Sequence, residues 1–489
     1  MAPIFNQVFS QGIVTSISPV GAGLEETLLR VIIQLIVIIA AARIFGVIFR
    51  WIGQPQVCGE IAAGLILGPS LLGGLFPGLF HQIFHPSVGQ IFSILSQIGL
   101  ILLLFLIGLE FDFGHLRNHG RKALSISMAG ILLPFVLGLL VAGQLYPHVG
   151  QGMNKLGFYL FIAVSLCITA LPILGRMMID YNINRTRLGS ITISAAALDD
   201  ASGWIILAMI TAIVRANFNP MKSFLMVFET LAFGLFMVFV ARPLLLRWTN
   251  YALREGKGDL SLTSLAVLLI LILVSSLITN LIGIFSIFGA FIMGAILYDQ
   301  QEFREAVIRR LRDFVTVFFL PIFFTYTGLR TDIGTMHGSL LWGLCGLVLL
   351  AAIVGKFGGC TIAALFNRFS RREALTVGVL MNTRALMELI VINIGYDLGV
   401  IPQSVFFMLV FMAVVTTYMT SPIFQLLIKK TELEPLFQES QFMQQKHWKL
   451  SSLTGFFNNR YSHSSSHSSR GTARTKKEIK NLDSLNLKE

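Results

Sequence analysis

The sequence has few charged residues and few cysteines for its length. Charged side chains make up 13% of the 489 residues, hydrophobic residues make up 55%, and the mean hydropathy is +0.75. These values lie far outside the range of soluble domains and predict a polytopic membrane protein. No two of the four cysteines are spaced as a CxxC pair, which argues against a disulfide framework or a metal site. We therefore expect four packing thiols.

The sequence also lacks the signatures of enzymes. It has no hydrolase motif, phosphate-binding loop or cofactor fingerprint, so we expect neither catalysis nor a cofactor. Basic residues produce a net charge of +12, but they collect at the ends of apolar runs and in the C-terminal tail. That distribution indicates membrane topology and does not indicate a nucleic-acid partner.

Long apolar runs dominate the sequence, and thirteen of them predict membrane helices. They lie near 28–49, 57–76, 89–111, 123–146, 156–178, 187–214, 224–248, 260–280, 283–297, 312–329, 339–366, 372–399 and 404–427. The first run is too long for a cleaved secretory signal, so it is expected to remain as a span. With the N-terminus outside, basic residues concentrate in the inner loops. This predicts a multi-pass protein of the plasma (cell inner) membrane with a cytoplasmic C-terminus.

The chain divides into an N-terminal segment 1–27, a membrane domain 28–428 and a tail 429–489. The tail contains the basic, serine-rich stretch SHSSSHSSRGTARTKKEIK and has too few apolar residues to form a core. We expect it to be disordered and dispensable for the activity of the membrane domain.

Three stretches of the membrane domain recur in the same order. GLEFDFG ends the third run and GLRTDIG ends the tenth, AAGLILG in the second faces FGAFIMG in the ninth, and ITALPILGRMMIDYNI in the fifth faces NTRALMELIVINIGYDLGVI in the twelfth. The matched runs are seven apart, and an odd offset reverses the orientation in the bilayer. The pattern predicts inverted-topology repeats, 28–214 and 260–427, joined by a linker helix at 224–248. Helix packing through small residues explains the glycines but not the shared Gly-Leu-Asp endings.

Charged residues inside the apolar runs are few: Glu60, Asp199, Asp200, Lys356, Arg384 and Glu388. Each costs roughly 2.5–3.5 kcal/mol at a helix centre, so an ionisable group within a span predicts function. The two adjacent aspartates point about 100° apart on a helix and can have different partners. Lys356 lies among glycines and needs a carboxylate, so one of the aspartates is its expected partner.

Two runs carry residues that suit broken or braced helices. Pro172, in the middle of the fifth run, removes an amide donor and predicts a break whose freed carbonyls can coordinate cations. Arg384 and Glu388 are four residues apart and are expected to form a buried pair that supports the twelfth helix. Direct contact of that pair with an ion is the alternative. Glu60, near the start of the second run, is grouped with them as support.

Five stretches together resemble the monovalent cation:proton antiporter family, in the branch of NapA-type, Kef-type and plant CHX-like exchangers. They are GQPQVCGEIAAGLILGPSLLG, GLEFD, ITALPIL, LDDASGW and LMNTRALMELIVINIG, and the resemblance covers about 28–428. It implies an all-α polytopic fold of about thirteen transmembrane helices, with crossed discontinuous helices and a homodimer. It also implies that a monovalent cation and a proton compete for Asp200, that Asp199 pairs with Lys356, and that Thr169 lies near the ion.

The expected function is therefore secondary antiport of Na⁺ or K⁺ for protons across the lipid bilayer by alternating access. A sodium-coupled symporter of an organic anion is the alternative, because it can share inverted repeats and crossed helices. Such a symporter favours hydroxyl ligands and does not need a lysine beside the paired aspartates. A channel needs a continuous lining of polar residues, which the sequence does not show. The choice between Na⁺ and K⁺ stays open.

Overall fold

The computed structural model describes residues 21–440 except 55, 86–87, 111–113, 184–185, 217–218, 257, 385 and 430–432. Most of the expected tail, with its predicted disorder, and most of the N-terminal segment lie outside the described residues. The described chain is nearly all helical. Its helices are α1 Gly21–Trp51, α2 Gln56–Leu67, α3 Pro77–Ile83, α4 Gly89–Glu110, α5 Gly114–Val149, α6 Lys155–Ser165, α7 Leu171–Asp180, α8 Arg187–Arg215, α9 Pro220–Phe236, α10 Arg242–Glu255, α11 Leu262–Ile282, α12 Ser286–Ala295, α13 Gln301–Phe314, α14 Leu320–Arg330, α15 Gly338–Ile353, α16 Gly359–Phe366, α17 Arg371–Met381, α18 Leu386–Asp397, α19 Gln403–Leu427 and α20 Glu434–Gln438.

The predicted all-α membrane fold is confirmed, but the exact number of thirteen spans is not. In the described part of the chain, nine helical stretches are long and apolar enough to cross a membrane. The number is ten if the pair α17 and α18, bent by 42°, is counted as one span. Helices lie at every one of the predicted apolar runs, although α6 and α12 are short for a full crossing.

One-turn π-helical segments follow or interrupt several helices. They lie at Pro69–Gly73, Met237–Ala241, Val315–Phe319 and Val354–Gly358. The third joins α13 to α14, and the fourth joins α15 to α16. A π turn widens a helix locally, is rare, and frequently marks a functional position. The turn at Val354–Gly358 contains Lys356. The charged lysine noted within an apolar run of the sequence thus lies at an irregular point of its helix.

The helices pack as two bundles. Helices α1, α2, α4, α11, α12 and α14 contact one another and form the first bundle, whereas α5 to α8 and α15 to α19 form the second. The stretch α9–α10, continuous through its π turn, contacts helices of both bundles. It occupies the position of the predicted linker helix.

Close glycine contacts in the first bundle follow the predicted repeat. A Cβ on Gly328 of α14 would lie 2.1 Å from the carbonyl carbon of Gly64 in α2. A Cβ on Gly294 of α12 would lie 3.0 Å from the carbonyl carbon of Gly108 in α4. In the repeat the second run corresponds to the ninth and the third to the tenth, so one crossing is the counterpart of the other. Glycine permits both close approaches, and their correspondence supports the inverted repeat.

The packed part of the chain extends beyond the boundary expected at residue 428. Phe437 of α20 is 5% exposed, and its ring centroid lies 5.4 Å from that of Tyr181 and 5.9 Å from that of Phe424. Tyr181 and Phe424 themselves stack at 4.8 Å. This aromatic contact attaches α20 to the second bundle, and the expected start of the tail at residue 429 stays a prediction.

Truncation after Ser440 is expected to leave ion exchange at the rate of the full chain, because the removed sequence has too few apolar residues to build a core.

Phe437→Ala in the full chain is expected to lose about 3 kcal/mol of stability through the cavity left beside Tyr181. Vesicle flux and thermal melting of both purified variants are the measurements. A truncated protein that melts normally but exchanges slowly would contradict the first expectation.

Candidate functional site

Two helix breaks lie side by side in the second bundle. The first separates α6, which ends at Ser165, from α7, where Pro172 occupies the first turn. The second separates α17 from α18. The N–H of Ala170 donates to the carbonyl of Thr383 at 2.9 Å, and the hydroxyl of Thr169 donates to the carbonyl of Met381 at 3.0 Å. Proline fixes φ and removes an amide donor, which suits it to start the second half of a broken helix.

Asp199 of α8 is paired with Lys356 beside the first break. The lysine Nζ lies 2.6 Å from Asp199 Oδ2, and both side chains are 0% exposed. The same carboxylate oxygen accepts the backbone N–H of Thr169 at 3.0 Å. Lys356 also donates to the carbonyl of Cys167. The pair thus connects α8, the π turn between α15 and α16, and the break after α6.

Asp200 differs from its neighbour in having no such partner. It is 1% exposed, and neither of its carboxylate oxygens has a hydrogen-bond partner among the described residues. Buried polar groups are nearly always hydrogen-bonded, so an unpartnered carboxylate in a protein interior needs an explanation. An ionised one is costly unless a cation or a proton compensates its charge. The geometry therefore presents one occupied and one available carboxylate.

Arg384 and Glu388 are buried at the second break. Their side chains are both 0% exposed, and Arg384 Nη1 lies 3.5 Å from Glu388 Oε2. The guanidinium also donates to the carbonyls of Ser165 and Ala352, each at 3.1 Å. A cation at the C-terminal end of α6 and an anion in the first turn of α18 complement the dipoles of those helix ends. These contacts suit the expected supporting pair.

Glu60 lies in the first bundle, on α2. It is 2% exposed, its Oε1 accepts from Gln56 Nε2 at 3.1 Å, and the guanidinium of Arg43 lies 3.8 Å from it. These contacts tie α1 to α2. Its expected support of the crossing helices stays a prediction.

Threonines of α19 are contacts that the sequence analysis missed. The hydroxyl of Thr417 accepts the backbone N–H of Arg384 at 3.3 Å, and the hydroxyl of Thr420 lies 3.4 Å from that of Thr383. Both belong to the stretch TTYMTS within an otherwise apolar helix. That local run of hydroxyl groups was the available signal, because broken backbone in a membrane must find partners nearby.

The cysteines and other ligand-type side chains do not form a second site in the described ranges. The four cysteines are buried free thiols. No cluster of three or more His, Cys, Asp or Glu side chains suited to a metal occurs among the described residues.

Comparisons with known proteins agree with this architecture. The profile of a family described as "Sodium/hydrogen exchanger, transmembrane" matches residues 35–430. The chain is 40% identical to the Na(+)/H(+) antiporter NhaS4 of Synechocystis sp., over 81% of this chain and 97% of that protein. It is 36% identical to Cation/H(+) antiporter 17 of Arabidopsis thaliana, over 82% of this chain and 48% of the relative.

A yeast relative and a solved structure extend the comparison. The chain is 30% identical to K(+)/H(+) antiporter 1 of Saccharomyces cerevisiae, over 85% of this chain and 48% of that protein. The chain thus spans about half the length of the plant and yeast relatives. The sodium proton antiporter MjNhaP1 from Methanocaldococcus jannaschii has the same fold, with a TM-score of 0.57 and 16% identity over 83% of this chain and 99% of that one. By its sequence this chain belongs to the sodium/hydrogen exchanger family, whose members are secondary cation:proton antiporters and not enzymes.

Proposed function

We propose that this antiporter exchanges Na⁺ or K⁺ for protons and that the two ions compete for the carboxylate of Asp200. The observation that carries the proposal is the buried, unpartnered carboxylate of Asp200 beside the lysine-bound carboxylate of Asp199. Relatives named for Na⁺ and for K⁺ exchange support a monovalent cation as the partner of the proton. The symporter alternative has no support among these relatives.

Competition for one carboxylate couples the two ion flows. A dehydrated cation and a proton each neutralise Asp200, and the two cannot occupy it together. An empty, charged carboxylate carries roughly 2.5–3.5 kcal/mol of burial cost, so the site moves between the two membrane faces preferentially when it is loaded. A bound cation thus travels one way and a proton the other. No covalent step is needed.

The residues around Asp200 fix its surroundings. Asp199 is neutralised by Lys356 and is held by the N–H of Thr169, so it stays in place when the ion changes. Thr169 lies at the break where backbone carbonyls are freed from helix bonding, and such carbonyls are suitable cation ligands. Pro172, Arg384 and Glu388 keep the breaks open and aligned. All of these residues belong to the second bundle.

Alternating access follows if the second bundle moves against the first. The first bundle and the α9–α10 stretch keep many apolar side chains exposed, including Phe224, Phe228 and Leu231. Such surfaces suit lipid and a second copy of the chain, so we place a homodimer contact on them. We infer a cytoplasmic C-terminus from the basic inner loops, and we propose the plasma membrane as the location.

Proton flux in proteoliposomes tests the proposal. A pH gradient is imposed, and Na⁺, K⁺ or Li⁺ is added separately while the internal pH is followed. At least one cation is expected to dissipate the gradient without any organic anion present, and protein-free liposomes serve as the control. Failure of all three cations at every pH where the protein stays folded would contradict exchange.

A further inference from the structure

One ion pair joins the two bundles at the end of α14. Arg330, the last residue of α14, lies in the first bundle, and its Nη1 is 2.6 Å from Asp397 Oδ1 at the end of α18 in the second. The same Nη1 donates to Asn393 Oδ1 at 3.2 Å. Among ion pairs formed between two described residues, it is the one that bridges the first bundle and the second.

Neighbouring groups shape this contact. The guanidinium carbon of Arg330 lies 4.2 Å from the ring centroid of Tyr326 and 5.4 Å from that of Tyr396, distances at which a cation is attracted to a ring face. Asn393 Nδ2 donates to the hydroxyl of Thr327 at 2.9 Å, which adds a second link between α18 and α14. The guanidinium of Arg330 therefore lies between aromatic rings from both bundles.

The exposure of the pair suits a contact that breaks repeatedly. The side chains of Arg330 and Asp397 are 20% and 32% exposed, so water competes for both charges and the pair is weak. The buried pair of Lys356 with Asp199 is 0% exposed and lies within the second bundle. A movement between bundles leaves the buried pair intact and must break the exposed one.

A second contact between the bundles lies nearer the site. Trp204, one turn after Asp200 on α8, packs against Phe288 and Phe291 of α12 with centroid distances of 5.6 and 5.7 Å. In the predicted order of membrane spans, the sixth and tenth runs point the same way through the bilayer because their offset is even. Trp204 is thus displaced from Asp200 toward the membrane face at which Arg330 lies.

We propose that Arg330, Asp397 and Asn393 form a latch that closes the route to Asp200 from the membrane face where α14 and α18 end. The latch holds the bundles together between the aromatic contact of Trp204 and that membrane face. It opens whenever Asp200 exchanges its ion with that side. This inference rests on the proposed movement of the bundles. Its tests use variants that still exchange ions, so a protein without any exchange would count against the proposed function and not against the latch.

Charge neutralisation tests the latch. Arg330→Gln and Asp397→Asn are each expected to favour the state open at the latch face. The half-saturating cation concentration should then fall several-fold when measured from that face and rise when measured from the other. The swapped variant R330D/D397R should return both values toward the wild type. Parallel changes on the two faces, or no change, would overturn the proposal, because loss of a purely structural contact does not shift the two values in opposite directions.

Cross-linking tests the latch by fixing its two positions to each other. The double variant Arg330→Cys, Asp397→Cys, bridged by a short cross-linker that attaches to both thiols through disulfide bonds, is expected to stop exchanging until a reductant cleaves the bridge. The four native thiols are buried, so they compete little for the reagent. The matched control, Ser70→Cys with Ile333→Cys, bridges two residues that contact each other next to the first bundle, and it should keep exchanging. Normal exchange by protein bridged between 330 and 397 would refute the latch.

Discussion

Asp200→Asn is expected to reduce cation-driven proton flux to the level of protein-free liposomes. The substitution removes the charge that attracts the cation and the group that takes up the proton, while it leaves the side-chain volume almost unchanged. Stability should not fall, because Asp200 has no hydrogen-bond partner among the described residues that the change would break. Removal of an uncompensated buried charge raises the melting temperature if it changes it at all.

Two variants act as controls for this result. Asp200→Glu retains a carboxylate and should keep measurable exchange. Asp299→Asn breaks a partly exposed pair with Arg242, in which the charged atoms are 2.7 Å apart, and should leave exchange unaltered because such pairs contribute about 0–1 kcal/mol. Robust exchange by Asp200→Asn would mean that another group carries the proton.

Asp199→Asn is expected to destabilise the protein by about 3–5 kcal/mol, because it leaves the charge of Lys356 buried without a compensating anion. The asparagine oxygen can still accept the N–H of Thr169, so the loss should come from the lysine. Thermal melting of the purified variant measures the effect. Exchange should become slower and its pH profile should shift, but Asp200 remains and some flux should survive. Complete loss of exchange at an unchanged melting temperature would indicate that the roles of the two aspartates are reversed.

A double-mutant cycle separates charge balance from transport. Combining Asp199→Asn with Lys356→Met removes both charges, and the double variant should recover most of the lost stability since a neutral pair needs no compensation. If Lys356 takes part in the transport cycle, the double variant will exchange ions more slowly and carry less current per ion. Wild-type current with both charges removed would confine Lys356 to a structural role.

The site residues that the sequence predicts are those whose chemistry does not suit an apolar membrane helix. Asp199, Asp200 and Lys356 are conspicuous because charges are costly in apolar helices, and Pro172 is conspicuous because it cannot continue one. These features are local and do not require knowledge of which helices touch. The repeated motifs match distant runs to one another, and the contact of α2 with α14 is the counterpart, under that match, of the contact of α4 with α12.

The parts that sequence did not predict depend on tertiary pairing. Arg330 and Asp397 are ordinary charges at helix ends until two distant runs meet. Thr417 resembles any hydroxyl residue of a membrane helix, and only the course of α17 and α18 brings a free backbone N–H to it. Phe437 follows a polar stretch after the last span, so composition assigned it to the tail although its ring packs against Tyr181.

Competition at Asp200 is tested most directly by the half-saturating cation concentration measured as a function of pH. Proteoliposomes containing the purified full chain are assayed for exchange at a series of cation concentrations, at each of several pH values. If cation and proton compete for one carboxylate, that concentration should rise about tenfold for each pH unit below the range where the site is deprotonated, while the maximal rate reached at saturation stays nearly constant. A half-saturating concentration independent of pH, with only the maximal rate changing, would contradict a shared site.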